Sequence, residues 1–139
     1  MSQVIDGDTL VADRDGREER IRLCGVDAPK QDQPLAAEAT ALLEDLVLDE
    51  FVVLVPVERD RYGHLVAEIF VLPPEGTDTP ELFVQQELLT TGLVWVYPPS
   101  VRDCLNGEVM EVLEAIAREE NVGVWAEPGS VPPWEWRQR

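Results

Sequence analysis

The sequence predicts an α+β domain built on a small, closed antiparallel β-barrel. Three observations point there. Five β-prone segments are separated by turn signals, three helical stripes lie among them, and the order has no repeating βαβ rhythm. So few strands hide their edges most economically by closing on themselves. A length of 139 residues suits one domain. With 45% apolar and 28% charged residues, the chain is neither a disordered tail, a collagen-like repeat nor a disulfide scaffold.

Val4-Ile5 begins a strand that ends at the turn Asp6-Gly7-Asp8, and Thr9 to Ala12 is the return. Arg14-Asp15-Gly16-Arg17 is a hairpin signal. Arg20 to Cys24 alternates polar and apolar, with Ile21 and Leu23 on one face. Asp27-Ala28-Pro29 stops that strand. From Leu35 to Leu48 the period turns helical: Leu35, Ala39, Leu42, Leu43, Leu46 and Val47 form one apolar stripe. Phe51 to Val57 is strongly β-prone, Asp60-Arg61-Tyr62-Gly63 turns, and Val66 to Leu72 runs back. Leu82-Phe83-Val84 reads as a short strand or helix entry. Val84, Leu88 and Leu89 mark a short helix closed by Gly92. Leu93 to Tyr97 is strand again, stopped by Pro98-Pro99. Val109, Val112, Leu113 and Ile116 mark a third helix that ends at Asn121 and Gly123. The tail starting Pro132-Pro133 cannot be regular structure at its start.

The formal charge is −17, and both halves of the chain share the acidic excess. Phosphate binding needs basic clusters, so nonspecific nucleic-acid binding is disfavoured. A solvated, self-repelling surface explains the charge, and a basic partner is the sharper alternative. No apolar run reaches the roughly 20 residues a membrane span needs. No signal peptide is visible, so a cytoplasmic protein is expected if the chain is complete, and a trimmed upstream segment leaves localisation open. Cys24 and Cys104 match no metal or redox spacing. They are expected to be two free, buried thiols in a reducing compartment. Trp125, Trp134 and Trp136 are expected to pin the tail, residues 127–139, onto a core of residues 1–126.

Asp6, Asp8 and Asp27 put three carboxylates at the ends of neighbouring strands, which is how oxygen ligands hold a hard cation such as Ca²⁺. Arg22, five residues before Asp27 on the same strand, can offer a phosphate its planar fork of donors. Taken alone, these residues read first as a turn at Asp-Gly-Asp and a surface strand residue at Arg22.

The order of the segments adds more. The chain from Val4 to Trp125 resembles the staphylococcal nuclease (thermonuclease) family. The likeness rests on the acidic first turn, Arg22-Leu23-Cys24-Gly25-Val26-Asp27-Ala28-Pro29, the Asp60-Arg61-Tyr62-Gly63 turn, Leu88-Leu89-Thr90-Thr91-Gly92-Leu93 and Asn121-Val122-Gly123-Val124-Trp125. It implies an OB-fold, a five-stranded antiparallel barrel with three helices, and an ancestral Ca²⁺-dependent nuclease acting on DNA and RNA. It implies that Asp8, Asp27 and the Ala28 carbonyl would hold Ca²⁺, with Asp6 in an outer shell. Arg22 matches the first phosphate-binding arginine. Tyr62 and Tyr97 fall near nucleotide-contacting positions.

Two catalytic positions depart from the family's pattern. The water-activating Glu is replaced by Lys30, and the second arginine by His64. These are the chain's only Lys and only His. An ammonium cannot accept a proton, and imidazole lacks both a permanent charge and the guanidinium fork. The expectation is a catalytically degenerate, monomeric OB module that binds a protein or a specific ligand rather than nonspecific nucleic acid. In it, Lys30 neutralises Asp8 and Asp27 with no metal. The alternative is a weak Ca²⁺-dependent nuclease using Arg22 and His64 on phosphate, and Lys30 pointing simply to solvent is the bland reading.

Overall fold

The structure, a computed structural model, describes residues 3–138. Met1, Ser2 and Arg139, which fall in the two expected segments, lie outside the described residues. β1 (Gln3–Asp6) pairs antiparallel with β2 (Thr9–Arg14), and β2 pairs with β3 (Arg17–Leu23). Asp15 and Gly16 link β2 to β3 with φ of 52° and 81°, the two positive values a two-residue hairpin turn needs. After β3 come β4 (Val26–Asp27), α1 (Ala36–Val47), β5 (Val52–Arg59) and β6 (Leu65–Val71). The main sheet runs β1-β2-β3-β6-β5, and the short β7 (Leu82–Phe83) is added on β6. α2 (Val84–Thr90), β8 (Trp95–Val96), α3 (Pro98–Val101) and α4 (Gly107–Glu120) follow. A 3₁₀ turn over Gly123–Ala126 leads to α5 (Pro133–Trp136). β8 pairs with β4 in a separate two-stranded ladder. This is the α+β architecture of an OB-fold.

One detail differs from an all-antiparallel barrel: β3 and β6 run parallel, matching Ile21 with Leu65 and Leu23 with Ala67. The long excursion through β4, α1 and β5 supplies the crossover that a parallel pair requires. β6 pairs with three strands, β3, β5 and β7, and its Leu65 to Ile69 are all buried. Leu10, Ile21, Leu23, Leu43, Ile69 and Leu88 form the centre of the core.

α4 forms where Val109, Val112, Leu113 and Ile116 mark a helix, but Val109, Val112 and Ile116 do not face the core. Those side chains are exposed, while Met110 and Ala117 are buried and Leu113 packs partly against the core. Met110, Leu113 and Ala117 form a rival apolar stripe one residue round the helix, so periodicity could not choose between them. Tertiary contacts chose. Met110 Sδ occupies the space beside Gly25, where a Cβ would lie 2.7 Å away. Glu114 on the same helix accepts a hydrogen bond from the Val96 N–H at 2.6 Å. Contrary to expectation, Cys24 and Cys104 are not free thiols. They form a disulfide across 80 residues, Cα to Cα 6.0 Å. Gly25 at φ +82° lets the turn after β3 approach the start of α4.

The remaining differences are additions. The Leu93–Tyr97 strand forms a ladder only at Trp95–Val96. The tail, extended at Pro132, makes one helical turn from Pro133, a position where the missing N–H costs nothing. No described helix is long and apolar enough to cross a membrane.

Candidate functional site

Asp6 and Asp8 flank the turn from β1 to β2. Asp6 Oδ1 accepts the Asp8 N–H at 3.0 Å. Gly7 lets that turn press against its neighbours, since a Cβ there would meet Ala28 at 2.7 Å and Ala39 at 2.8 Å. The contact seats Asp8 beside the end of β4. Asp8 Oδ2 accepts the Ala28 N–H at 2.7 Å, and Oδ1 accepts the Thr9 hydroxyl at 2.9 Å. Both Asp8 and Asp27 are buried, at 2% and 0% exposed.

Arg22 stands on β3 between the inward-facing Ile21 and Leu23, so alternation turns it to the site. Its Nε lies 3.5 Å from Asp8 Oδ1 and its Nη2 3.3 Å from Asp27 Oδ1. Its Nη2 also donates to the Val26 carbonyl at 3.3 Å, and its guanidinium sits 5.9 Å from the centre of the Tyr97 ring. Lys30 is three residues past Asp27, and its Nζ donates to Asp27 Oδ1 at 2.7 Å. Lys30 therefore does not simply point to solvent. One further cation arrives from the chain's end, where Arg137 Nη2 lies 3.3 Å from Asp27 Oδ2. Arg137 had no expected role at this site; it ends the Pro-Pro-Trp-Glu-Trp-Arg stretch, residues 132–137, whose tryptophans were expected to pin the tail.

The electrostatics follow from burial and partners. Burial pushes the Asp8 carboxyl up, but Arg22 and Lys30 together hold it below the ordinary carboxylate range. Burial dominates at Asp27 and leaves it raised despite the Lys30 hydrogen bond and charge. Asp6 rises to about 6, first through burial and then through the charge of Asp8. Burial alone would lower Arg22, but Asp8, Asp27 and Asp6 hold it above its ordinary value.

His64 and Tyr62 belong to a different turn. Asp60 Oδ1 accepts the backbone N–H groups of Tyr62 and His64, each at 2.9 Å, and Asp60 Oδ2 lies 3.3 Å from His64 Nδ1. Burial would raise the Asp60 carboxyl, but the hydrogen bonds from the His64 and Tyr62 backbone together hold it below its usual range. Tyr62 is 71% exposed, and its hydroxyl accepts from Arg61 at 2.8 Å. The structure thus gathers Asp6, Asp8, Arg22, Asp27, Ala28, Lys30 and Tyr97, while His64 and Tyr62 make their hydrogen bonds within the turn that leads into β6, the strand paired with Arg22's β3.

The buried Asp8 and Asp27 and Arg22 of β3 thus share one site on this OB-fold. Residues 20–127 match the family described as Staphylococcal nuclease homologue. A protein of Escherichia coli O157:H7 named "Uncharacterized endonuclease" is 33% identical over 137 residues, covering 99% of this chain and 82% of its own. "Micrococcal nuclease" of Shigella flexneri is 28% identical, covering 98% of this chain and 78% of its own. "Staphylococcal-like nuclease CAN1" of Arabidopsis thaliana is 34% identical over 119 residues, 86% of this chain and 33% of its own. The chain belongs to the staphylococcal nuclease homologue family.

That family is generally calcium-dependent, and the side chains as placed do not fit a Ca²⁺ ion. Every carboxylate oxygen of Asp8 and Asp27 already faces a donor: Thr9 and Arg22, Ala28, Lys30 and Arg22, and Arg137. Among the described residues no group of three or more His, Cys, Asp or Glu side chains could hold a metal ion.

Proposed function

We propose that this domain keeps a nuclease scaffold without its chemistry: a catalytically degenerate, monomeric module that binds a protein or a specific ligand. The observation that carries the reading is Lys30 Nζ at 2.7 Å from Asp27 Oδ1. Two buried carboxylates repel one another, and an ammonium at that distance relieves the repulsion as a metal would. The same side chain stands where the resemblance puts a water-activating Glu, and a carboxylate general base contributes roughly 10²–10⁴ in rate. Glu38 does not substitute for it, because it lies exposed on α1. His64 is paired with Asp60 and lacks a guanidinium, and losing one transition-state donor costs on the order of 10²–10³. The charge of −17 opposes nonspecific binding to a polyanion. In this reading residues 1–126 form the working unit, and residues 127–139 are a tail packed on it, as the ring contact of Trp134 with Trp95 at 6.0 Å supports.

The test is hydrolysis of single-stranded DNA and RNA, with Ca²⁺ and with chelator, by the wild type and by a Lys30→Glu/His64→Arg double variant. A silent wild type beside a Ca²⁺-dependent double variant is the expected result. Ca²⁺-dependent cutting by the wild type overturns the reading in favour of a weak nuclease. If neither protein cuts, the loss extends beyond these two positions, and their assignment fails.

A further inference from the structure

Arg137 brings a third cation to a pocket holding three carboxyls. Asp6, Asp8 and Asp27 face Arg22, Lys30 and Arg137. Only 11 basic residues serve the whole chain, against 28 acidic ones. Three of the 11 converge on one carboxylate that is 0% exposed.

The arrival of Arg137 is built rather than incidental. The tail is fastened on both sides of the turn that carries Lys30. On one side the Trp136 indole N–H donates to Asp32 Oδ1 at 2.9 Å, and the Gln33 amide donates to the Val131 carbonyl at 2.7 Å. On the other, the Trp134 ring packs against Trp95 at 6.0 Å and against Tyr97 at 5.6 Å. The turn α5 then carries Arg137, whose N–H donates to the Pro133 carbonyl at 3.1 Å. The cations divide the oxygens between them. Lys30 and Arg22 take Asp27 Oδ1, and Arg137 takes Oδ2.

We infer that Arg137 is a specificity-determining residue of this site: with Lys30 it closes the aspartate pair to divalent cations, so that the chain's own tail completes the work of a bound metal. The inference rests on the Lys30 reading above and extends it. Removing Lys30 alone leaves Asp27 Oδ2 covered and Arg137's positive charge in place. Removing both frees one face of the carboxylate and leaves Arg22 as the single cation.

The experiment is calorimetric titration of CaCl₂ into the full-length chain, with a thermal melt of each variant to confirm folding. The wild type, Lys30→Glu, Arg137→Met, Lys30→Glu/Arg137→Met and Lys30→Glu/Arg137→Lys are compared. The wild type is expected to show no saturable binding into the roughly millimolar range of weak calcium sites. Lys30→Glu is expected to bind weakly, and the Glu/Met double variant at least about tenfold more tightly, because it removes a unit positive charge 3.3 Å from Asp27 Oδ2. The Glu/Lys variant should return to the affinity of Lys30→Glu, which a purely structural tail effect would not produce.

Equal affinity for Lys30→Glu and the Glu/Met variant overturns the role of Arg137 and leaves the Lys30 reading standing. Absence of binding in both also overturns it. Tight Ca²⁺ binding by the wild type defeats the Lys30 reading itself.

Discussion

Breaking the Cys24–Cys104 bridge should cost this domain a large share of its stability. The two cysteines are 80 residues apart in sequence, so the bridge closes most of the chain into a loop. The chain-entropy relation for a loop of that size gives about 4.5 kcal/mol at 25 °C, and strain or residual unfolded structure usually reduces it, so about 3–4 kcal/mol is expected. Domains of this kind are stable by roughly 5–15 kcal/mol in all. The assay is urea unfolding followed by tryptophan fluorescence, with the oxidised protein beside a Cys24→Ala/Cys104→Ala variant. With a urea slope of about 1.5–2 kcal/mol per molar, the midpoint should fall by about 2 M. The bridge also anchors the site: Cys24 lies two residues past Arg22, and its carbonyl accepts from the buried Gln85 amide at 3.4 Å. Superimposable curves for the two proteins would refute the reasoning and restore the expectation of free thiols.

Three other outcomes follow from the same structure. Asp6→Asn should stabilise the protein at neutral pH, while its Oδ1 can still accept the Asp8 N–H. Burial and the neighbouring Asp8 push the Asp6 carboxyl to about 6 in the fold against 3.8 for a free side chain, so the folded chain keeps a proton that the unfolded chain releases. Wild-type stability is therefore lost as pH rises from about 4 to 6, by at most about 3 kcal/mol and less for a partly solvated group. A pH series in which the wild type does not fall relative to the variant contradicts this. Gly92→Ala should cost about 2–4 kcal/mol, since its φ is +73° and the new Cβ would run into the Val122 carbonyl; thermal melting reports it. Glu68→Ala should cost about 2–4 kcal/mol. Glu68 is buried on β6, and its carboxylate accepts from the Asn106 backbone at 2.6 Å and side-chain amide at 2.7 Å where α4 begins; chemical denaturation measures the loss.

Much of the fold was legible because short-range signals agreed with one another. The Asp15-Gly16 turn, the alternation around Arg22 and the stripe of α1 each name a local geometry that the structure contains. The stripe of α4 was ambiguous, because two adjacent helix faces are apolar and only packing against Gly25 and Val96 selects one. The site was legible in part for the same reason. Arg22, Asp27 and Lys30 lie within nine residues of sequence, and the β2–β3 hairpin, with Thr9 opposite Arg22, brings Asp8 beside them. His64 is held by Asp60 in its own turn through a backbone bond and a side-chain pair, and the next residue, Leu65, pairs with Ile21 beside Arg22.

The sequence by itself determined the elements, the hairpins and which residues could meet at the acidic turn, because strand alternation and turn chemistry act over a few residues. Only the tertiary structure decided that Cys24 meets Cys104 and that Arg137 meets Asp27. Those partners stand 80 and 110 residues apart. Contacts of that range are set by how the whole chain packs, to which local propensity contributes no term.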